Sequence, residues 1–234
     1  MLILIGGGTA AGKSSMSEFI SRKIKRTLSS IIITTDHFYK TSKAPIDWDN
    51  PQSIHYPMLL DKIKKLLQGK SVGYPRIEKV VENGVNTKII FHDNNEIKGP
   101  ADLIIVESIH ALQFEDINKL ADLKIYIDAD DDIRLIKKLK RIPETKKGFR
   151  GNWVKNLNHK ERLNFIFHLM DRWIKWARTN HKKFILPTKK SADLIINNNS
   201  ENIGNNSKLK EIIQLVNSNN KKEFEKFKDN IKEY

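Results

Sequence analysis

Gly7, Gly8, Thr9, Ala10, Ala11, Gly12, Lys13, Ser14 and Ser15 follow the spacing G-x-x-x-x-G-K-S directly behind the apolar run Leu2-Ile3-Leu4-Ile5. Glycines in such a turn let backbone N–H groups point inward at an anion. Lys13 can reach the outer phosphates of a nucleotide, Ser14 can hold Mg²⁺, and a helix after the turn adds the positive end of its dipole. The chemistry served by this spacing is the binding of a nucleoside triphosphate, ATP or GTP, with Mg²⁺. Two carboxylates extend it. Asp36 follows Ile31-Ile32-Ile33-Thr34-Thr35, and Glu107 follows Leu103-Ile104-Ile105-Val106. An acid at the carboxyl end of a parallel strand opens on the crevice where such sheets bind ligands. Asp36 can there accept the proton of an attacking hydroxyl or take a water on Mg²⁺, and Glu107 can hold a metal-bound water. Ser14, Asp36 and Glu107 are therefore the candidate metal set, although Asp36 also fits a turn cap after its strand.

Other chemistries find little support. The seven histidines, His37, His55, His92, His110, His159, His168 and His181, show no two-His-plus-acid spacing on one helical face, which argues against zinc. There is no cysteine, which excludes disulfides and thiolate ligands. No Ser-His-Asp arrangement sits in a nucleophile-elbow context, so hydrolase readings fall away. His110, just behind Glu107, either lines the pocket or serves structure.

The elements that must position these groups alternate. Short, continuous apolar runs predict strands at 1–6, 30–34, 102–107, 122–128 and 192–196, of the kind buried on both faces of a parallel sheet. Helices are expected at 13–27, 56–68, 131–141, 159–181 and 207–217. The long one repeats Leu163, Ile166, Met170, Trp173 and Ala177 at three- and four-residue steps, a stripe that reads as core. Residues 71–92 break the alternation: Val80-Val81, a Glu82-Asn83-Gly84 turn and Lys88-Ile89-Ile90-Phe91 predict a hairpin on the substrate side. Residues 142–158 are polar, cationic and interrupted by Pro143, Gly148 and Gly151, which suits a lid closing on phosphates. Residues 218–234 read as a terminal helix or tail. The expected fold class is α/β, a P-loop NTPase-type doubly wound parallel sheet with a hairpin insertion and a helical lid, in a single domain over 1–234.

Lys and Arg number 42 against 28 Asp and Glu, a formal charge of +14. The cations are spread: Lys62, Lys64 and Lys65, then Lys137, Lys138, Lys140 and Arg141, then Lys182 and Lys183 fall on separate predicted helices. Such spreading argues against a nucleic-acid groove, while it still favours an anionic nucleotide. No apolar run approaches the ~20 residues that cross a bilayer. The first strand begins at Met1 with no charged leader ahead of it, and the expectation is a cytoplasmic protein without a membrane partner.

Thr35-Asp36-His37-Phe38-Tyr39, Trp48-Asp49-Asn50-Pro51, Gly69-Lys70-Ser71-Val72 with Pro75, and Val106-Glu107-Ser108-Ile109 occur in the usual order of the uridine kinase and phosphoribulokinase family, which the chain resembles. The similarity continues through Leu123 to Asp128, Asp132-Ile133-Arg134-Leu135, and Pro187-Thr188-Lys189-Lys190-Ser191-Ala192-Asp193, and covers roughly residues 1–200. The resemblance implies that Asp36 is the base for the acceptor hydroxyl, that Ser14 and Glu107 arrange Mg²⁺, and that Lys13 grips the phosphates. It implies that Asp49 binds ribose hydroxyls, since two neighbouring hydroxyls can donate to one carboxylate; as a residue type Asp49 also fits a turn. Tyr39 and Lys138 join it on the acceptor side. Arg141 falls at a lid arginine, and Arg150 falls near another if one residue is inserted; both would neutralise charge during phosphoryl transfer.

The departures are Pro75-Arg76-Ile77-Glu78 where the family carries P-x-Y-D, Glu107-Ser108 for E-G, and Arg141-Ile142 for R-D. The reading is a kinase that phosphorylates a small-molecule acceptor, a ribonucleoside with uridine or cytidine favoured. Nicotinamide riboside, pantothenate or a sugar phosphate are the alternatives left by the altered hairpin. A nucleotide-binding regulatory or nucleic-acid-associated protein is the alternative of another class. By resemblance, a homo-oligomer is also an option.

Overall fold

The structure, a computed structural model, describes residues 1–24, 26–40, 47–82, 85–144, 158–199, 206–218 and 221–232. Five strands form one parallel sheet: β1 (Leu2–Gly7), β2 (Ser30–Thr34), β5 (Leu103–Glu107), β6 (Leu123–Asp128) and β7 (Leu194–Asn197), in the order β2-β5-β1-β6-β7. β1 is thus central, flanked by β5 and β6. Its side chains alternate as a strand requires. Ile3 and Ile5 enter one core with Met16, Ile20 and Ile24 of α1 (Lys13–Ile24), while Leu2 and Leu4 enter the other with Leu59, Ile63 and Leu66 of α2 (Tyr56–Leu67). Apolar residues on both faces are what a doubly wound sheet demands.

Between β2 and α2 the chain makes two single turns of tight helix, Thr35–Phe38 and Pro51–Ser53. The pairing of Tyr39 with Ile54 ties them together. Beyond α2, β3 (Val72–Glu82) and β4 (Val85–Ile97) form a separate antiparallel pair, and β3 packs against the Thr35–Phe38 turn. The pair runs past the expected 71–92 because the polar Asn95 and Glu96 still pair with Tyr74 and Gly73. Polar residues carry no strand signal of their own, yet backbone pairing continues through them. The expected turn at Asn83-Gly84 lies outside the described residues.

After β5 come the short helix α3 (Glu115–Asn118), β6 and α4 (Asp131–Glu144). Residues 145–157, most of the expected lid, lie outside the described residues. α5 (His159–Arg172) opens on a capping box in which Asn158 and Glu161 exchange side-chain and backbone bonds. The helical path then continues through wider π turns at Trp173–Ala177 and His181–Ile185, separated by Arg178–Asn180, and a tight turn at Leu186–Ser191. It therefore extends beyond the expected 181. The buried row is Phe165, Leu169, Trp173 and Ala177, and Leu163 of the expected stripe is exposed. This segment carries more apolar residues than one face can bury, so periodicity alone did not select the inward row. β7 starts at Leu194 rather than 192, after the turn ending at Ser191. α6 (Ser207–Ser218) and α7 (Lys221–Lys232) close the chain, α7 inserting Phe224 and Phe227 into the core beside β1.

Candidate active site

The turn between β1 and α1 is built from backbone conformations that few residues tolerate. Gly7 has φ +135° and Gly12 φ +111°, and Ala10 adopts φ +62°. A Cβ on Gly7 would stand 2.4 Å from the carbonyl oxygen of Ile127. The strand-to-loop transition therefore requires glycine on both counts. The turn delivers its chain to the first turn of the 12-residue α1, where unpaired N–H groups and the helix dipole attract anions. Lys13 is almost fully buried, and its Nζ donates to the Gly8 carbonyl at 2.8 Å, which holds the cation against the loop.

Two residues that sequence reasoning did not select brace this loop. Arg134 of α4 is fully buried; its Nε donates to the Ala129 carbonyl at 3.1 Å and its Nη1 to the Thr9 carbonyl at 3.4 Å. Its guanidinium also pairs with Asp131 and lies 5.1 Å from the Trp173 ring centroid. A Cβ on Gly8 would meet Arg134 Nη1 at 2.5 Å, so Gly8 is the residue that admits this arginine. Asn198, after β7, donates from Nδ2 to the Ala11 carbonyl at 2.7 Å. Arg134 stands in the Asp132-Ile133-Arg134-Leu135 run that carries the family resemblance, but no role attaches to it there, and the only local signal for Asn198 was a polar residue after a predicted strand, which is too common to select.

Across the loop, Ser14 Oγ donates to Glu107 Oε1 at 3.0 Å. Glu107 is placed by register: it pairs with Ile5 on one side and Thr34 on the other. Burial raises its carboxyl above the usual carboxylate range, Lys13 opposes that shift, and the nearby Asp36 charge adds to it. Asp36 itself sits two residues beyond Thr34 and is exposed. Its turn is capped by Thr34, whose Oγ1 accepts the Asp36 N–H at 3.3 Å. The Asp36 carboxylate has no hydrogen-bond or ion-pair partner among the described residues. Its negative charge is close enough to Glu107 to raise that carboxyl.

A second group of acidic residues lies in the segment Asp47-Trp48-Asp49-Asn50, within electrostatic reach of Lys13. Asp47 accepts two hydrogen bonds from Asn180 Nδ2, at 2.8 and 2.7 Å, and receives the Asp49 N–H at 3.3 Å. Asn50 Oδ1 accepts the Gln52 N–H at 2.9 Å, so capping there is performed by Asn50 and the Asp49 side chain is spared for another task. Burial raises the Asp49 carboxyl; Lys138 opposes the shift, Asp47 reinforces it, and Arg172 and Lys13 oppose it. Arg172, not selected from sequence, is lowered by its own burial and is held up by Asp49 and Asp47. Lys138 lies 5.5 Å from the Trp173 ring centroid. Tyr39 is buried; its hydroxyl donates to the Trp48 carbonyl at 2.7 Å and its ring meets Trp48 edge-on at 4.6 Å. It supports the Asp47–Asp49 segment from beneath. Arg141 lies on α4 with its side chain outside the description, and Arg150 lies outside the described residues.

A magnesium ion would find hard oxygen donors at Ser14 and Glu107, adjacent and on the phosphate side of the crevice. Among the described residues no group of three or more His, Asp or Glu is arranged to hold a metal. That suits Mg²⁺, which binds through one or two protein ligands and completes its shell with water and phosphate oxygens. Among the described residues no helix is long and apolar enough to cross a membrane.

Residues 2–203 match the phosphoribulokinase / uridine kinase family. The uridine kinase of Clostridium novyi (strain NT) is 31% identical over 209 residues, covering 86% of this chain and 89% of that protein. The uridine kinase of Lactobacillus helveticus (strain DPC 4571) is 28% identical over 209 residues, covering 86% and 88%. In three dimensions the chain is similar to D-glycerate 3-kinase of Cryptococcus neoformans var. grubii, with a TM-score of 0.57 at 15% identity over 87% of this chain and 88% of that one. At that identity the likeness bears on the fold alone.

Proposed function

Because the chain belongs to the phosphoribulokinase / uridine kinase family, we propose that it is an ATP-dependent phosphotransferase that moves the γ-phosphoryl group to the 5′-hydroxyl of a pyrimidine ribonucleoside, uridine or cytidine. The observation that supports this reading is that Ser14 bonds Glu107 at 3.0 Å, that the charges of Lys13 and Asp36 both bear on the Glu107 carboxyl, and that Asp36 stands two residues beyond the Thr34 that pairs with Glu107. A protein that only bound nucleotide would have no use for the uncommitted Asp36 carboxylate.

In the proposed reaction the loop Gly7–Ser14 wraps the phosphates with backbone N–H groups, and Lys13 leaves the Gly8 carbonyl for the outer phosphates. Asp36 accepts the proton as the 5′-oxygen forms its bond to the γ-phosphorus and the bond from that phosphorus to the β–γ bridging oxygen breaks, releasing ADP. Mg²⁺ held near Ser14 and Glu107 would neutralise charge on the β- and γ-phosphates. Asp49 accepts the ribose hydroxyls, and Lys138 and Arg172 balance its charge together with that of Asp47. Arg141 and Arg150 would add positive charge from the lid side. The fitting compartment is the cytosol, where ATP is plentiful, and the partner is a small nucleoside.

An ADP-release assay with Mg·ATP and a panel of uridine, cytidine, adenosine, nicotinamide riboside, pantothenate and ribulose 5-phosphate tests the proposal. Turnover confined to the pyrimidine nucleosides is expected. Turnover confined to another acceptor would move the substrate, and no turnover despite nucleotide binding would remove the enzyme reading.

A further inference from the structure

Three segments carry the carboxylates of the crevice, and none is continuous with another: the end of β5 with Glu107, the turn Thr35–Phe38 with Asp36, and the stretch holding Asp47 and Asp49. A chain of hydrogen bonds, buried at Thr35, Ser108 and His110, joins all three. Ser108 follows Glu107 directly, where the family pattern has glycine. Its Oγ is hydrogen-bonded to Thr35 Oγ1, the residue before Asp36, and accepts the His110 N–H at 2.9 Å. His110 Nε2 lies 3.2 Å from the Trp48 carbonyl, between Asp47 and Asp49, and that same carbonyl accepts the Tyr39 hydroxyl. Ser108, Thr35 and His110 are all buried, at 3%, 0% and 0% exposure.

A carbonyl oxygen can only accept, so His110 must carry its proton on Nε2. Burial pushes the imidazole down to about 4, which keeps it neutral, and its Nδ1 has no partner among the described residues. A buried polar atom without a partner is costly, which is hard to reconcile with mere space filling, where an apolar side chain would be cheaper. Among the described residues the ring's one hydrogen bond is to the Trp48 carbonyl.

We infer that Ser108 and His110 are positioning residues, and that the Thr35–Ser108–His110–Trp48 chain sets the distance between the base Asp36, the Glu107 carboxylate and the acceptor-binding Asp49. The assignment of roles to those three carboxylates rests on the function proposed above; the mechanical link does not. In this chain the serine hydroxyl is a hub that glycine could not supply. Because Thr35, Ser108 and His110 are buried, these members polarise and fix one another, and loss of one member loosens the others.

The experiment uses the full chain and five variants: Ser108→Ala, Thr35→Val, the double variant, His110→Gln and His110→Leu. Misplacement of reacting groups by a fraction of an ångström to about 1 Å is costly, so Ser108→Ala is expected to lower kcat/KM for uridine roughly 10- to 100-fold while KM for ATP stays within about twofold. Thr35→Val should act in the same direction, and the double variant should be no worse than Ser108→Ala alone, because the alanine already removes the bond to Thr35 together with the acceptor for the His110 N–H. His110→Gln, which can present an N–H near the Nε2 position, should keep most of the activity that His110→Leu loses. Losses that multiply in the double variant, or a KM for ATP that rises as much as kcat/KM for uridine falls, would overturn the inference. Amide hydrogen exchange of the ligand-free protein provides a readout independent of the acceptor. Ser108→Ala should speed exchange at Lys40 and His55, whose N–H groups bond Ser53 and Phe38, and leave α1 unchanged. Changes confined to residues 108–112 would sink the link even if uridine is the substrate. An inactive wild type with the exchange pattern intact would instead sink the proposed function and leave the link standing.

Discussion

Glu107 and Thr34 pair across adjacent parallel strands, Ser14 bonds Glu107 at 3.0 Å, and Asp36, two residues beyond Thr34, is close enough for its charge to raise the Glu107 carboxyl. Strands of a parallel sheet end together, so carboxylates at their ends share a wall. The consequences can be checked residue by residue.

Asp36→Asn keeps the shape of the side chain and removes its capacity to take a proton. Nucleotide affinity is expected to stay within about twofold, while kcat falls by roughly 10²- to 10⁴-fold, the usual worth of a positioned general base. The measurement is single-turnover ADP formation alongside nucleotide titration. Full turnover with intact affinity would exclude Asp36 as the base.

Glu107→Gln leaves a hydrogen-bond acceptor for Ser14 and removes a negative charge. The Mg²⁺ concentration for half-maximal activity should rise by about tenfold or more, with metal-free nucleotide binding unchanged or slightly tighter. A Mg²⁺ titration at fixed ATP reads it. The sign for stability runs the other way: burial raises the Glu107 carboxyl in the folded protein, so its ionisation opposes folding as pH rises above the ordinary carboxylate range, and the glutamine variant should melt higher than the wild type at neutral pH without ligand.

The glycines separate two kinds of constraint. Gly7→Ala places a Cβ against backbone at positive φ and is expected to cost about 3 kcal/mol or more, with loss of nucleotide binding. Gly8→Ala meets the Arg134 guanidinium, which is pinned on three sides, and should cost about 1–3 kcal/mol and weaken ATP binding. Gly73→Ala, with nothing within 4 Å of the new Cβ, is the control and should stay within about 0.5 kcal/mol. Thermal melts with and without ATP distinguish the three.

His110 and His181 are both lowered to about 4, each chiefly by burial. Their neutral forms are the folded forms, while the unfolded chain takes up these protons near 6.5. Stability from this source is complete above about pH 6.5 and is lost as pH falls from there toward 4, by up to about 3 kcal/mol per histidine. Denaturant unfolding across that window should steepen with acidity, and His110→Gln should remove part of the slope. An unchanged slope in the variant would show that the His110 ring is not held neutral by the fold.

What the sequence determined by itself was everything whose geometry is contiguous. A buried strand, a glycine-rich turn and a helix start are consecutive in the chain, so residues 2–15 specify the phosphate loop through local backbone rules alone. The alternation of apolar runs likewise implied a parallel sheet with helices on both faces, because only that arrangement buries such strands on both sides. Tertiary structure alone decided which distant residues meet. Arg134 reaches a carbonyl 125 positions away at Thr9, and Asn180 reaches Asp47 across 133 positions. Nothing in the period of either segment encodes those contacts. The same holds for the inward row of α5, where Phe165 and Leu169 are buried and Leu163 is not: several apolar rows were available, and the choice fell to the shape of the surface that the helix had to cover. Ser108 shows the difference most plainly. In the sequence it is a small residue after Glu107; in the fold it is the point where the segments carrying Asp36, Glu107 and Asp49 are bonded together, because folding brought Thr35 and His110 to one hydroxyl.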